Sequence, residues 1–236
     1  MDPARTAVVT RHGSRERTVR EPGVERYWSR FALSYNQDGE YVVGRAILNL
    51  IADHLAAEAS WGEAIEFGCG TGYFTQAVAP KATHVLATDL SDEMLTVARK
   101  ELRPFPNVTV QKADCTASGF PDARFDCVLV ANLLHVLAEP ERCLAESHRI
   151  LRDGGILVAV DLTSFGMKTC DMVRLGLRYL RCWGLPPRQG QDAMAPDDLA
   201  GLARRAGFNV ETVDLLEAGS NALYMRGVKC AKQPST

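Results

Sequence analysis

Three glycines at alternate positions, Gly68, Gly70 and Gly72, follow the apolar run Ala64-Ile65-Glu66-Phe67 and precede a helical segment. Glycine is required where backbone takes positive φ or approaches a ligand more closely than a Cβ permits. In an open parallel sheet, a loop at the carboxyl end of a strand is where ligands bind. Asp89 closes the next strand-like run, 21 residues after Gly68, where a carboxylate can accept hydrogen bonds from ribose hydroxyls. Asp114, in Ala113-Asp114-Cys115, follows the third run, where it can accept a bond from the exocyclic amine of adenine. Each aspartate alone is more often a turn or cap residue; with the glycine loop they form a three-strand constellation for a nucleoside. The position of a dinucleotide fingerprint's third glycine is Tyr73, which disfavours a diphosphate and hence an NAD-dependent oxidoreductase. The absence of Gly-Lys-Ser/Thr excludes a triphosphate loop.

Residues that could move a proton are few. His135, in Asn132-Leu133-Leu134-His135 after the fourth strand-like run, is the leading candidate base because its unperturbed pKa is near neutrality; yet a lone histidine beside Leu134 and Val136 is more often a packed helix residue. Asp161, late in the fifth run, is a second candidate base or a satisfied polar group at the sheet rim. Nothing in the spacing marks a catalytic dyad. Tyr27, Trp28, Phe31 and Tyr35 recur at helical intervals, as an aromatic stripe that either packs on the core or presents faces suited to a cation. His54 and His148 read as helix-surface residues. The five histidines and seven cysteines do not cluster at ligand spacing and no Cys-x-x-Cys occurs, so no metal is expected.

The elements that must position these groups alternate. Strands are predicted at Ala64–Phe67, His84–Thr88, Val108–Lys112, Phe125–Ala131 and Gly155–Leu162, with helices over 73–79, 91–102 and 139–151 between them. Near-continuous apolar strands in this rhythm imply a parallel sheet buried on both faces. A further helix, Pro196–Ala206, stops at Gly207, and Asn209–Leu216 and Ala222–Val228 read as a hairpin. Upstream, helical patterns begin at Tyr27 and run again from Tyr41 to Ala57. Residues 1–22, with five arginines, read as a mobile tail before a domain spanning 23–236. Residues 164–195 break the rhythm as an inserted cap. Its Met167, Met172, Leu175, Tyr179 and Trp183 offer an apolar wall, while Arg174, Arg178, Arg181 and Arg188 either meet an anionic acceptor or form a solvated helix face.

At these residues the chain resembles the class I S-adenosylmethionine-dependent methyltransferases, in the small-molecule branch similar to ubiquinone and menaquinone methylases. The resemblance rests on Glu66-Phe67-Gly68-Cys69-Gly70-Thr71-Gly72, Thr88-Asp89-Leu90-Ser91, Ala113-Asp114, Phe125-Asp126 and Leu151-Arg152-Asp153-Gly154-Gly155, and covers about residues 25–230. It implies a Rossmann-like seven-stranded α/β sheet with an antiparallel last strand. It implies S-adenosyl-L-methionine as cofactor, with Glu66 and the backbone at Gly68 and Gly70 holding the methionine moiety and Asn132 nearby. Asp89 would take the ribose, Leu90 and Met94 line the adenosine, and Asp114 take the adenine amine, with Cys69, Gly72 and Cys115 completing the site. An aromatic at Tyr35 would sit over the methyl end, although Asn36 replaces the aspartate that usually follows.

Composition sets the remaining bounds. A net charge of −2 offers no global field for nucleic acid, and the aromatic loop of base-amine methylases is absent after the fourth strand. No apolar run reaches membrane-spanning length, and the N-terminus lacks a signal-type apolar segment, so a reduced, cytoplasmic protein is expected. The expected partner is a small-molecule acceptor methylated on oxygen, nitrogen, sulfur or activated carbon, with a homodimer through the N-terminal helices or the cap compatible with the pattern. The rival readings are a nucleic-acid methyltransferase and a cofactor-binding protein without turnover.

Overall fold

The computed structural model describes residues 22–185 and 194–230. The arginine-rich segment 1–21 and part of the cap, with Arg188, lie outside the described residues. Seven strands form one sheet: β1 (Gly62–Phe67), β2 (Ala82–Asp89), β3 (Val108–Lys112), β4 (Phe125–Ala131), β5 (Leu151–Thr163), β6 (Phe208–Glu217) and β7 (Asn221–Lys229), in the order β3-β2-β1-β4-β5-β7-β6. All neighbours are parallel except those of β7, which runs antiparallel to β5 and β6. Helices α1 (Pro22–Ser29), α2 (Tyr35–Gly39), α3 (Arg45–Ala57), α4 (Thr75–Val78), α5 (Asp92–Glu101), α6 (Pro140–Ile150), α7 (Thr169–Trp183) and α8 (Pro196–Arg205) surround it.

Strand alternation divides the core between two faces. On β4, Cys127, Leu129 and Ala131 join the cluster with Ile47, Ile51 and Leu55 of α3, whereas Val128 and Val130 join that of Leu144 and Ile150 from α6. The chain leaves β1 toward β2 and β3, then returns to place β4 on the other side. The carboxyl ends of β1 and β4 therefore sit side by side at the point where the order reverses, and connections diverge there to open a crevice.

Three expected elements differ in detail. The helix anticipated from Tyr41 to Ala57 is divided: a π-type turn covers Glu40–Gly44, and Gly44, at φ +97°, starts α3 afresh. The helix at 73–79 is shorter, ending at Val78 before a 3-10 turn over Ala79–Lys81, where Pro80 has no N–H to continue the ladder. The Leu151-Arg152-Asp153-Gly154-Gly155 segment lies inside β5, with Leu151 paired to Phe125 across a bulge.

That bulge gives the two glycines different jobs. Gly154 is at φ +77° in open space, whereas a Cβ at Gly155 would stand 2.8 Å from the Arg152 carbonyl and 3.1 Å from that of Asp126, both backbone. Gly155→Ala should therefore cost about 3 kcal/mol, since backbone cannot move aside as a side chain can. Gly154→Ala should cost about 1 kcal/mol of left-handed strain. Urea unfolding midpoints check this, and equal losses would contradict it.

Candidate active site

A cleft of about 610 Å³ opens at the carboxyl ends of the central strands, lined among others by Gly68, Gly70, Asp89, Asp114, Asn132 and His135. Asp89 ends β2 with both oxygens engaged: Oδ2 accepts from the Gly70 N–H at 2.9 Å and Oδ1 from the Ser91 N–H at 2.8 Å. Burial pushes its pKa up, opposed by those N–H bonds. Ser91, not Asp89, caps α5, its hydroxyl accepting from the Met94 N–H. Asp114 accepts from the Thr116 N–H and hydroxyl, both through Oδ1 at 2.8 Å, so Oδ2 keeps its lone pairs for a ligand. Leu90, buried Met94 and buried Cys115 line the same cleft.

The glycines do not share one role. A Cβ at Gly70 (φ +54°) would meet nothing nearer than the Tyr35 ring at 3.9 Å, so this position leaves room beside the loop. At Gly68 (φ +69°) it would collide with Leu133 at 2.9 Å. At Gly72 (φ +83°) it would strike Leu102 at 2.7 Å; Gly72 lines neither cavity, and its smallness serves the packing of the α5 end.

A smaller cavity of about 80 Å³ lies beneath the loop, where Glu66, Cys69, Asn132 and Tyr35 meet. Glu66 accepts a short bond from the Thr75 hydroxyl, and burial raises its carboxyl to about 7 against that bond, with the Asp89 charge adding to the rise. Asn132 follows β4 at φ +53°; its N–H donates to the Val160 carbonyl at 2.7 Å, and its buried Oδ1 has no partner among the described residues. An acidic group and an unmatched acceptor suit a cationic donor such as an α-ammonium. The nucleoside carboxylates, the space at Gly70 and this unmatched acceptor fit the sulfonium nucleoside expected from the sequence.

The structure joins the two candidate bases. His135, on a 3-10 turn over Leu134–Val136, places Nδ1 in a short hydrogen bond with Asp161 Oδ1, while its backbone N–H donates to Asp161 Oδ2 at 2.9 Å. The spacing marked no such pair; the fold brings the two side chains together. An ionised Asp161 only accepts, so neutral His135 carries its hydrogen on Nδ1 and leaves Nε2 with a lone pair. The Asp161 side chain is 1% exposed and lines neither cavity, whereas His135 is 34% exposed and lines the cleft. Burial works against the charged ring, but the Asp161 charge and hydrogen bond outweigh it, so the His135 pKa lies above its ordinary value.

The N-terminal helices roof the site. The Thr71 hydroxyl donates to Asn36 Oδ1 at 2.6 Å, and the Ser29 and Ser91 hydroxyls are 2.7 Å apart. Asn36 therefore tethers α2 to the glycine loop in place of an aspartate, a role its residue type alone did not show. Tyr35 reaches both cavities; burial, then the charges of Asp89 and Asp161, push its phenol up to about 12, so it remains a protonated donor rather than a base. Trp28, Tyr179 and Trp183 pack with it as an aromatic group joining the roof to α7. On α7, exposed Arg174 pairs with Asp171 at 3.2 Å and Arg178 lies over Tyr41, and neither lines the cleft. His54 binds the Leu50 carbonyl, and His148 packs against Phe208, away from the site. Among the described residues no group of side chains could hold a metal ion, and no helix is long and apolar enough to cross a membrane.

Residues 65–159 match the family described as "Methyltransferase domain". The chain is 32% identical over 163 residues to an uncharacterized 37.1 kDa protein in a transposon of Streptomyces fradiae, covering 67% of this chain but only 47% of that protein, about half its length. It is 27% identical over 174 residues to the demethylmenaquinone methyltransferase of Tropheryma whipplei (strain Twist), covering 69% of this chain and 72% of the relative. The solved structure of a SAM-dependent methyltransferase from Aquifex aeolicus superposes with a TM-score of 0.62 at 18% identity, over 85% of this chain and 98% of that one.

The His135–Asp161 geometry has a direct readout. In a proton NMR titration, His135 should titrate above its ordinary value, and Asp161→Asn should move it below, because burial then acts without the opposing charge. A midpoint unchanged by Asp161→Asn would contradict the pairing.

Proposed function

We propose that this chain, a member of the class I S-adenosylmethionine-dependent methyltransferase superfamily, moves a methyl group to a small-molecule acceptor from which His135 removes a proton. The observation that carries this reading is the His135–Asp161 pair opening onto the same cleft as the glycine loop and Asp89. When bound, the cofactor supplies an electrophilic methyl on a sulfonium. The protein's part is placement. Asp89 would face the ribose hydroxyls, Asp114 Oδ2 would take the adenine amine, and Glu66 with Asn132 Oδ1 would take the methionine ammonium. Holding donor and acceptor in line supplies about 7–11 kcal/mol in favourable cases.

His135 Nε2 accepts the acceptor's proton as the new bond forms, and buried Asp161 steadies the resulting imidazolium through Nδ1. Asp161 is thus a positioning residue rather than a base. We read α7 as part of a cap over the acceptor, within the segment 164–195. A small acceptor is supported by the roof of α1, α2 and α7, which encloses the cleft with Trp28, Tyr35, Tyr179 and Trp183. These faces suit a flat, apolar ring; the Tropheryma relative is named as a demethylmenaquinone methyltransferase.

The test is incubation of the protein with methyl-labelled cofactor and a metabolite extract, followed by mass spectrometry for acceptors gaining one labelled methyl. Labelled product is expected. His135→Ala should slow its formation about 10²–10⁴-fold, the range of general base catalysis, with S-adenosylhomocysteine affinity unchanged. Failure of any acceptor to gain label would contradict the transfer reading. Full activity in His135→Ala would remove the base.

A further inference from the structure

Among the described residues two buried side-chain atoms lack a hydrogen-bond partner, Asn132 Oδ1 and Trp183 Nε1. They are opposite in kind, an amide oxygen that accepts and an indole N–H that only donates. Both residues line the small cavity beneath the glycine loop, together with Glu66, Gly68, Gly70 and Tyr35. From sequence, Trp183 read as apolar wall. Its ring is fixed from several sides: it stacks on Tyr35 at 6.0 Å with 21° between planes, and meets Trp28 and Tyr179 edge-on at 5.2 and 5.0 Å. The Tyr27 hydroxyl donates to the Trp183 carbonyl at 2.9 Å, anchoring the end of α7. With Trp183 only 8% exposed, its N–H has no acceptor among the described residues, and an unmatched buried donor is destabilising.

We propose that Trp183 Nε1 donates to the carboxylate of the cofactor's methionine end, while Asn132 Oδ1 accepts from the ammonium on the same carbon. The inference rests on the methyltransferase reading and adds a residue from the cap to the cofactor site. An α-amino acid carries one strong acceptor and one strong donor side by side, the complement of the two unmatched atoms. Tyr35 links them to the loop, since a Cβ at Gly70 would touch its ring at 3.9 Å. The last residue of α7 is then held by cofactor, and bound cofactor completes the wall against which the acceptor packs.

The test uses the full chain, calorimetry and two probes: S-adenosylhomocysteine and its decarboxylated analogue, which keeps the nucleoside, thioether and ammonium. Wild type should bind S-adenosylhomocysteine about tenfold or more tightly than the analogue, the usual range for a hydrogen bond to a charged group. Trp183→Phe keeps the ring and removes the donor; it should lose most of that preference while its affinity for the analogue is unchanged. Equal affinity of wild type for the two probes would overturn the proposal without any variant having to fold. So would an undiminished preference in Trp183→Phe. If wild type bound neither probe, the reading of the cleft would fall first and the proposal with it.

Discussion

A single carboxylate organises the binding face. The glycine loop holds positive φ at Gly68, Gly70 and Gly72. The register of the parallel pair, Phe67 opposite Thr88, brings the end of β2 alongside the loop, where Asp89 Oδ2 accepts the Gly70 N–H. Burying that carboxylate is costly, and the backbone N–H groups that converge on it offset the cost. Loop and carboxylate are therefore one device. Because Asn36 and Ser29 tether the roof to Thr71 in the loop and to Ser91 just after Asp89, the enclosure is built on the same device.

Strand adjacency supplies the chemistry in the same way. Ala131, the last residue of β4, pairs with Val160, so Asn132 emerges from the end of β4 beside Asp161 within β5. The 3-10 turn after Asn132 then carries His135 onto an aspartate 26 residues further along the chain. In the proposed reading, a base oriented by a buried carboxylate is useful only when the acceptor must lose a proton, which would narrow the acceptor chemistry more than residue types did.

Much of the fold was legible because its signals are local. Apolar strand runs, the stop at Gly207 and the loop spacing all act within a few residues, and they anticipated the parallel sheet with its terminal hairpin. The break at Gly44 was not read, since amphipathic periodicity continues through it, whereas the helix end before Pro80 was read to within one residue. At the site, Asp89 and Asp114 were legible by position. The union of His135 with Asp161 was not, because it depends on β4 and β5 being neighbours, which spacing does not encode. Asn36 looked like a departure from a pattern until Thr71 was found opposite it. Gly72 looked like part of a ligand loop although its missing Cβ makes room for Leu102. Trp183 was counted by its ring, and its N–H mattered only once packing had sealed it from water.

In the proposed reading, the loop, Asp89 and Asp114 grip a nucleoside bearing a sulfonium in place of a diphosphate. Parallel calorimetric titrations of the full chain with S-adenosylhomocysteine and with NAD test it most directly. Saturable one-to-one binding of S-adenosylhomocysteine with no heat attributable to NAD is the predicted result. Saturable binding of NAD by a protein indifferent to S-adenosylhomocysteine would contradict it.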